Sequence, residues 1–352
     1  MPSIHITASR EYDVLVQCGV LKEAGKRIAE VTGIHIAAII SDDIVFQLYG
    51  ETLKRSLEEA GFQTVSYVFP HGEQHKSLET YENILYFLSE HHFTRSDILI
   101  ALGGGITGDI TGFAAATYQR GIPFIQIPTT LLAAVDSSVG GKTAINLRTG
   151  KNQVGSFYQP SLVLCDPEVL ITLPEDEYRC GCAEVIKYAV LGSAEFSKGL
   201  KETPVREQTE RVIEACVTMK RDIVSEDEFD RGKRQLLNLG HTVGHAVEAC
   251  SGFSVLHGQA VSIGMAVITR AAAEKGICTE KTLQTVLDLL NAYELPTETE
   301  YSLSALSAAA MTDKKLSGSM LTLVVPEEIG LCRLETIPKE DLSDWLRAGG
   351  IV

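Results

Sequence analysis

The chain has 352 residues, 45% of them hydrophobic, and a formal net charge of −15 from 31 Lys and Arg against 46 Asp and Glu. Such an acidic balance excludes a protein that holds nucleic acid by general electrostatics, because that mode of binding needs clustered cations. It leaves room for a small anionic ligand, since one site needs only a few local cations. At roughly 150 residues per domain, the length predicts about two domains.

Three further features bear on the compartment in which the chain works. No apolar run approaches the ~18 residues of a membrane span, so no membrane partner is expected. The first residues have neither the basic nor the apolar region of a secretory signal. The eight cysteines are scattered, which is typical of reduced thiols and not of a disulfide framework or a cysteine zinc site. The sequence therefore predicts a cytoplasmic protein.

The first half of the chain alternates short strand-like runs with segments of helical periodicity. The predicted strands are Tyr12–Cys18, His35–Ser41, Thr64–Phe69, Asp97–Leu102, Pro123–Ile127 and Leu162–Cys165. The predicted helices are Leu21–Glu30, Ile44–Ala60, Ser77–His92 and Ile106–Tyr118. Alternation of this kind favours parallel pairing in an α/β sheet. The runs DILIAL and PFIQIP are apolar throughout, as strands covered on both faces are.

The second half is mostly helical from Pro174 onward, with strand-like runs only at Met320–Val325 and Leu331–Ile337. The change in character begins near Asp166. We therefore expect an α/β domain over residues 1–166 and an α-helical domain over residues 167–352.

A cluster of glycines follows the run DILIAL and opens a predicted helix. Gly103, Gly104 and Gly105 are consecutive, and Gly108 lies three residues further on. Glycine lets the backbone approach a ligand, and the N–H groups of a helix N-terminus bind phosphate. A tight turn without a ligand also uses glycine, but four glycines exceed what a turn needs. The segment predicts a phosphate or dinucleotide site, although its spacing is not the GxGxxG pattern.

Charged residues follow two other predicted strands. Asp42 comes directly after one strand, where a carboxylate accepts hydrogen bonds from ribose hydroxyls. Glu73 and Lys76 come after the next strand, three residues apart. Taken alone, each of these charges is typical of a solvated loop. Beside the glycine cluster, they fit a nucleotide site.

Two glycine turns later in the first half each carry a lysine. Lys142 follows a glycine pair at the end of PTTLLAAVDSSVGGK, and Lys151-Asn152 follows another glycine. Surface lysines on flexible turns would explain each turn separately. Two such turns on the same side of a sheet favour an anion site.

The second half carries a group of residues suited to a metal. His241 and His245 lie four residues apart on one helix face, and His257 opens the following helix. Upstream, Glu184 and Lys187 lie one turn apart. Imidazole and carboxylate suit zinc, and three protein ligands leave a position for substrate. A single histidine in a helical domain is usually structural, and the spacing does not decide whether His241 or His245 is the ligand.

Several cations also occur in or beside the second half: Lys220, Arg221, Lys233, Arg234, Lys314 and Lys315. Most charges on helices are solvated. We expect Arg221 and Lys233 to be solvated too.

Together these motifs resemble the 3-dehydroquinate synthase family. The resemblance rests on GGGITGDITGFAAATYQRG, QIPTTLLAAVDSSVGGKTAIN, GKNQVGSFYQP, AEVIKY, SEDEFDRGKRQLLNLGHTVGHAVEA and LHGQAV. These segments stand in the family's order from about Asp42 to Lys315. Ala144, Cys182 and Gln259 depart from the residues usual in the family, and none of them is a matched ligand.

The resemblance implies a Rossmann-like, parallel-sheet NAD-binding domain joined to a mostly α-helical metal-binding domain, usually in a homodimer. It also implies that 3-deoxy-D-arabino-heptulosonate 7-phosphate is converted to 3-dehydroquinate and phosphate, the second step toward chorismate. NAD is catalytic in this family. A ring hydroxyl is transiently oxidised, phosphate is eliminated, the ketone is reduced again, and an intramolecular aldol step closes the new ring. One divalent metal, zinc or cobalt, is the other cofactor.

The family's functional residues match this chain position by position. The metal ligands match Glu184, His241 and His257, which makes His245 a proton-handling residue. The NAD contacts match Asp42, Glu73, Lys76, Gly104, Gly105, Asp109, Thr129 and Thr130, with Lys151 beside them. The phosphate contacts match Lys142, Asn152, Arg234, one of Lys314 and Lys315, and Arg120 reaching across a dimer. The contacts to substrate hydroxyls and carboxylate match Asp136, Lys187, Lys220 and Asn238.

Three other functions compete with this interpretation. Other sugar-phosphate cyclases, such as 2-deoxy-scyllo-inosose or 2-epi-5-epi-valiolone synthases, usually alter the VDSSVGGKT segment, which is intact here. A metal-dependent polyol dehydrogenase of the same superfamily would perform net redox chemistry, and its usual ligand pattern is absent. A non-catalytic NAD-binding sensor would not need Glu184, His241 and His257 together.

Overall fold

The computed structural model describes residues 3–311 and 319–352. The chain forms two compact units, one of Met1–Leu173 with Thr209–Phe229 and one of Pro174–Gln208 with Asp230–Val352. A functional domain boundary at residue 166 stays a prediction. The predicted phosphate contacts Lys314 and Lys315 lie outside the described residues.

The secondary structure follows the alternation seen in the sequence. The strands are β1 (Ser3–Ile6), β2 (Tyr12–Val16), β3 (Ile36–Asp42), β4 (Gln63–Phe69), β5 (Ile98–Gly103), β6 (Phe124–Pro128), β7 (Lys142–Leu147), β8 (Gly150–Phe157), β9 (Leu162–Cys165), β10 (Met320–Glu328) and β11 (Leu331–Pro338). The α-helices are α1 (Ala24–Thr32), α2 (Asp43–Val45), α3 (Glu51–Glu59), α4 (Leu78–Glu90), α5 (Gly105–Thr117), α6 (Glu175–Gly192), α7 (Ala194–Glu202), α8 (Thr209–Glu226), α9 (His241–Cys250), α10 (His257–Glu274), α11 (Glu280–Ala292), α12 (Leu303–Met311) and α13 (Leu342–Ala348). Within the described ranges, no helix combines the length and hydrophobicity that a membrane span requires.

The first unit is built on a sheet whose strand order is β1-β2-β9-β6-β5-β3-β4. β1 is antiparallel to β2, and the remaining neighbours are parallel. β5, β6 and β9 are buried along their whole length, as their apolar sequences predict for strands covered on both faces. The prediction of a parallel α/β sheet is confirmed.

The strand order reverses between β3 and β5, because β4 lies beyond β3 and β6 lies beyond β5. Segments that leave the carboxyl ends of two such strands diverge and leave a crevice, which is where open parallel sheets bind ligands. Asp42 is the last residue of β3, and Gly103 is the last residue of β5. The topology therefore places Asp42 and the glycine cluster at this crevice.

The sequence patterns missed β1 and the β7–β8 hairpin of the first unit. β7 and β8 pair with each other and lie outside the main sheet. Their sequences, KTAINL and GKNQVGSF, contain glycine, lysine and asparagine, which are depleted in strands. Lys142, Lys151 and Asn152 thus lie on strands, and the expectation that glycine turns carry them was wrong.

The second unit is mostly helical, as the sequence predicts, with β10 and β11 forming an antiparallel hairpin. Two glycines of α10 allow its backbone to approach its neighbours. A Cβ atom on Gly264 would overlap the carbonyl oxygen of Gly240, the residue before α9. A Cβ atom on Gly258 would overlap the backbone of Cys180 in α6. These contacts bring together the three helices that carry Glu184, His241 and His257.

Candidate active site

The crevice of the first unit has features that suit a dinucleotide. α5 begins after Gly104, which provides no side-chain cap, so the first N–H groups of the helix are available to an anion. Thr129 follows β6, and its backbone N–H donates to the Gly103 carbonyl over 3.0 Å. The Thr129 hydroxyl is buried, and no residue within the described ranges accepts or donates a hydrogen bond there. An uncapped helix and an unsatisfied buried hydroxyl at one strand edge fit a bound NAD.

Two separate structural requirements explain why glycine occurs at these positions. A Cβ atom on Gly108 would lie 2.6 Å from the buried Gln126 Oε1, so Gly108 is required for the packing of α5 on the sheet. Gly104 and Gly105 stand at the start of the helix, and a Cβ atom on Gly104 would lie 3.0 Å from Thr130 Cγ2. Packing therefore accounts for part of a pattern that the sequence ascribed to ligand approach.

Lys76 is a buried member of a polar network and not a solvated loop charge. It is 5% exposed, and its Nζ donates to Asp109 Oδ2 over 2.5 Å and to Asn152 Oδ1 over 2.6 Å. Burial raises the pKa of Asp109, and the Lys76 ammonium opposes that rise. Two oxygen acceptors inside the fold stabilise the buried Lys76 ammonium, so the alternative of a solvated loop charge does not hold for Lys76, and its contact with NAD stays a prediction.

Glu73 and Asn152 are joined through Asn146, a residue that the sequence did not single out. Asn146 Nδ2 donates to Glu73 Oε1 over 2.7 Å, and Asn146 Oδ1 accepts from the Asn152 backbone N–H over 2.8 Å. Lys151 Nζ lies 3.9 Å from the same Glu73 oxygen. No spacing in the sequence points to Asn146, because its contacts depend on the unpredicted β7–β8 hairpin.

Asp42 caps a helix. Its Oδ1 accepts a hydrogen bond from the Val45 backbone N–H over 2.9 Å at the start of α2. Burial raises the pKa of Asp42. One carboxylate oxygen therefore stabilises the local backbone, and a role toward ribose stays a prediction.

Asp136 and Lys220 form a second buried pair in the first unit. Lys220, on α8, is 6% exposed, and it donates to the Asp136 carboxylate and, over 2.7 Å, to the Asp136 carbonyl. Lys142 and Arg120 are exposed, and Arg120 adopts a left-handed backbone with φ of 67°. The structure thus brings Asp136 and Lys220 together and leaves the other two cations at the surface of this unit.

Glu184, His241 and His257 of the second unit form a group able to bind a metal. Their ligand atoms lie within 4.8 Å of one another. Glu184 Oε1 lies 3.8 Å from His241 Nε2 and 3.5 Å from His257 Nε2. Lys187 Nζ lies 2.5 Å from Glu184 Oε2, yet neither Glu184 oxygen has a hydrogen bond of proper geometry within residues 3–311 and 319–352. The buried Glu184 carboxylate therefore fits a divalent cation, which would satisfy its oxygens.

The other ring nitrogen of each histidine also has a partner. His241 Nδ1 lies 3.1 Å from the Leu239 carbonyl oxygen, and His257 Nδ1 lies 3.4 Å from Glu248 Oε2. Desolvation lowers the pKa of His257, but the Glu184 and Glu248 carboxylates raise it more, so that this pKa lies at about 9. A metal would therefore displace a proton from His257 near neutral pH.

The remaining matched residues of the second unit lie on neighbouring elements. The His245 ring is 5.5 Å from that of His241 and 6.2 Å from that of His257, between centroids. Arg234 is 1% exposed and shares the 3₁₀ helix Lys233–Asn238 with Asn238, whose Nδ2 donates to the Gln235 carbonyl over 3.0 Å. Arg234 is therefore buried, not solvated.

The sequence reading missed Glu248. His241, His245 and Glu248 follow one another at spacings of four and three residues, which places them on one face of α9. This pattern is present in the sequence, but the spacing alone does not show that Glu248 lies beside His257. Glu248 also forms a second possible ligand group with His245 and His257.

The chain is similar to known proteins along nearly its whole length. The 3-dehydroquinate synthase N-terminal profile matches residues 66–180, and the C-terminal profile matches residues 181–316. A 3-dehydroquinate synthase from Enterococcus faecalis is 43% identical over 350 residues, covering 97% of this chain and 98% of the relative. The chain belongs to the 3-dehydroquinate synthase family.

Two solved cyclase structures share the fold of this 3-dehydroquinate synthase family member. ValA, a 2-epi-5-epi-valiolone synthase from Streptomyces hygroscopicus subsp. jinggangensis 5008 with NAD+ and Zn2+ bound, has a TM-score of 0.88 at 28% identity, covering 99% of each chain. A 2-deoxy-scyllo-inosose synthase complexed with carbaglucose-6-phosphate, NAD+ and Co2+ has a TM-score of 0.87 at 25% identity, covering 98% of this chain and 99% of that one. The predicted family and fold are confirmed, and these relatives contain the cofactors that the sequence predicts.

Proposed function

We propose that this chain is a 3-dehydroquinate synthase that converts 3-deoxy-D-arabino-heptulosonate 7-phosphate to 3-dehydroquinate and phosphate. Similarity to synthases of that name over nearly the whole chain carries the proposal. The product would feed chorismate and aromatic amino acid biosynthesis. We also propose a cytoplasmic homodimer, in which the exposed Arg120 reaches the substrate bound by the partner subunit.

The two units contribute different cofactor contacts. The proposed NAD contacts in the first unit are Asp42, Glu73, Lys76, Gly104, Gly105, Asp109, Thr129, Thr130 and Lys151. The proposed metal ligands in the second unit are Glu184, His241 and His257. When bound, NAD supplies a reversible hydride acceptor and the metal, zinc or cobalt, supplies a Lewis acid.

Cationic and amide side chains would bind the substrate phosphate. Arg234 is buried, and a buried side chain has less conformational freedom to lose when substrate binds. Lys142 and Asn152 on the β7–β8 hairpin add a charge and an amide, and one of Lys314 and Lys315 is the further cation that family resemblance implies. Charge-assisted hydrogen bonds of this kind hold a dianionic leaving group firmly.

Other residues would orient the sugar and move protons. The Asp136 carboxylate, held by Lys220, offers an acceptor to a substrate hydroxyl. Lys187 and Asn238 would bind the remaining hydroxyls and the carboxylate. His245, beside the proposed metal ligands, would take and return a proton, because imidazole is the side chain that most often transfers protons in enzymes.

A single assay tests the reaction. The protein is supplied with the heptulosonate phosphate, a catalytic amount of NAD and zinc or cobalt, and phosphate, dehydroquinate and NADH are measured. We expect one phosphate per dehydroquinate, with no net NADH. The control omits NAD, and no product should then form.

Two results would contradict the proposal. NADH accumulating in proportion to substrate would indicate a metal-dependent polyol dehydrogenase. Phosphate release from other sugar phosphates alone would indicate another cyclase, the class to which the 2-epi-5-epi-valiolone and 2-deoxy-scyllo-inosose synthases belong.

A further inference from the structure

The two ring nitrogens of His257 face two different carboxylates. Nε2 lies 3.5 Å from Glu184 Oε1, and Nδ1 lies 3.4 Å from Glu248 Oε2. Both acids are buried, at 0% and 2% exposure. Because the two nitrogens point in different directions, a cation bound through one nitrogen leaves the other for a hydrogen bond.

His241 indicates which nitrogen faces the metal. Its Nδ1 lies 3.1 Å from the Leu239 carbonyl oxygen, and a carbonyl only accepts, so Nδ1 carries the proton. In the neutral ring Nε2 is then the nitrogen able to bind a metal, and it faces Glu184 Oε1, 3.8 Å away. The Nε2 atoms of His241 and His257 thus converge on the same Glu184 oxygen.

We infer that Glu248 is a positioning residue: its carboxylate accepts the Nδ1–H of His257 and holds Nε2 toward Glu184 and the metal. This role rests on the proposed metal site. A carboxylate behind a ligating histidine fixes the tautomer and the ring orientation and makes the ligand more basic. Glu248 does for His257 what the Leu239 carbonyl does for His241.

The backbone at Glu248 is anchored for this task. Its carbonyl accepts hydrogen bonds from the Phe253 N–H and the Ser251 hydroxyl, both over 2.8 Å, at the end of α9. Glu248 lies on the same helix as His241. One rigid helix therefore carries a ligand and the group that orients another ligand from α10.

The alternative is that Glu248 is itself a ligand, together with His245 and His257. Those ligand atoms also lie within 4.8 Å of one another. That arrangement would use Nδ1 of His257 and leave Glu184 facing a protonated Nε2. It would also leave His241 outside the group, although its Nε2 faces Glu184.

The test compares zinc affinity in full-length variants. Glu248→Gln and Glu248→Ala are measured with Glu184→Gln as the ligand variant and Glu274→Gln as the control. Glu274 is exposed at the end of α10, so this control removes the same charge from the helix that carries His257. Zinc dissociation constants come from competition with a chromophoric chelator. Long-range ¹H–¹⁵N spectra of ¹⁵N-histidine protein report the His257 tautomer.

We expect Glu248→Ala to weaken zinc binding roughly 10- to 100-fold. Glu248→Gln should weaken it less, because its amide oxygen still accepts the Nδ1–H. Glu184→Gln should have the largest effect, and Glu274→Gln should bind as the wild type does. In zinc-loaded wild type, His257 should carry its proton on Nδ1.

Two outcomes would overturn the inference. Zinc affinity of both Glu248 variants equal to that of Glu274→Gln would show that Glu248 has no such role. A loss in Glu248→Gln as large as in Glu184→Gln, with the His257 proton on Nε2, would make Glu248 a ligand. If Glu248→Ala does not fold, the near-isosteric Glu248→Gln decides. Wild-type protein that binds zinc yet forms no dehydroquinate would contradict the proposed reaction separately.

Discussion

His245 differs from its two histidine neighbours in what surrounds its ring. His241 and His257 both turn Nε2 toward Glu184, at 3.8 and 3.5 Å. The His245 ring lies against both, but its ligand atoms group with Glu248 and not with Glu184. Replacing each histidine in turn should therefore distinguish the metal ligands from the proton-handling residue.

We predict that His257→Ala loses zinc and activity together, whereas His245→Ala keeps zinc and loses rate. Removing a ligand should cost more than the ~100-fold in metal affinity that removing its supporting partner costs. Removing a general acid or base should lower kcat by roughly 10²- to 10⁴-fold. Bound zinc is measured by elemental analysis after gel filtration, and kcat by dehydroquinate formation. A His245→Ala protein without zinc would show that the ligand assignment is wrong.

At the scale of single residues, the sequence predicts which residue types belong to the site but not which partners they contact. The chemistry of Glu184 and the histidines was visible because imidazole and carboxylate at these spacings are unusual. Taken alone, Lys76 is typical of a solvated loop charge, and the sequence could not show the two oxygen acceptors that stabilise it inside the fold. Glu248 was visible only as a position on a helix face, and its role depends on where α10 places His257.

Elements with strong hydrophobic patterns were predicted well. β5 and β6 follow from uninterrupted apolar runs, and α4 and α5 follow from helical periodicity. The β7–β8 hairpin was missed because the glycine, lysine and asparagine residues in its strands mask the alternating pattern of a strand. Close approach of helices was not predictable either, since the sequence does not distinguish a helical glycine that contacts another backbone from one that does not.

Gly264 provides a test of that close approach. Gly264→Ala should lower the free energy of unfolding by about 3 kcal/mol, because the added methyl group overlaps a backbone carbonyl that cannot turn away. It should also weaken zinc binding, since separating α9 from α10 moves His241 away from His257. Denaturant titration and chelator competition measure the two effects.

Gly199→Ala is the matched control for Gly264→Ala. Gly199 lies inside α7, and nothing lies within 4 Å of a Cβ atom placed there. Alanine should stabilise that helix by about 0.5–1 kcal/mol and leave zinc affinity unchanged. Equal stability of the two variants would contradict the packing role of Gly264.

For the whole molecule, the net charge of −15 does not show that several of its cations are buried. Lys76, Lys187 and Lys220 are each at most 6% exposed and each pairs with a carboxylate. These pairs contribute nothing to the net charge, which is why composition excluded polyanion binding but could not locate a site. Nor did composition show that Thr209–Phe229 returns to the first unit, because helical periodicity carries no information about which unit a helix joins.

The division of the chain into two units gives a final prediction about where each cofactor acts. Zinc alone should slow amide hydrogen exchange most in α6, α9 and α10, which carry Glu184, His241 and His257. NAD alone should slow it most at the end of β3, the start of α5 and the residues after β6, where the crevice lies. At 100 times its dissociation constant, either ligand can add up to about 2.7 kcal/mol to the stability of the segments that must open for exchange. Magnesium at the zinc concentration, and zinc with His257→Ala, are the controls and should protect neither set. Exchange is measured by mass spectrometry after proteolysis. Zinc protection confined to the first unit would contradict the metal assignment, because none of the proposed metal ligands lies in that unit.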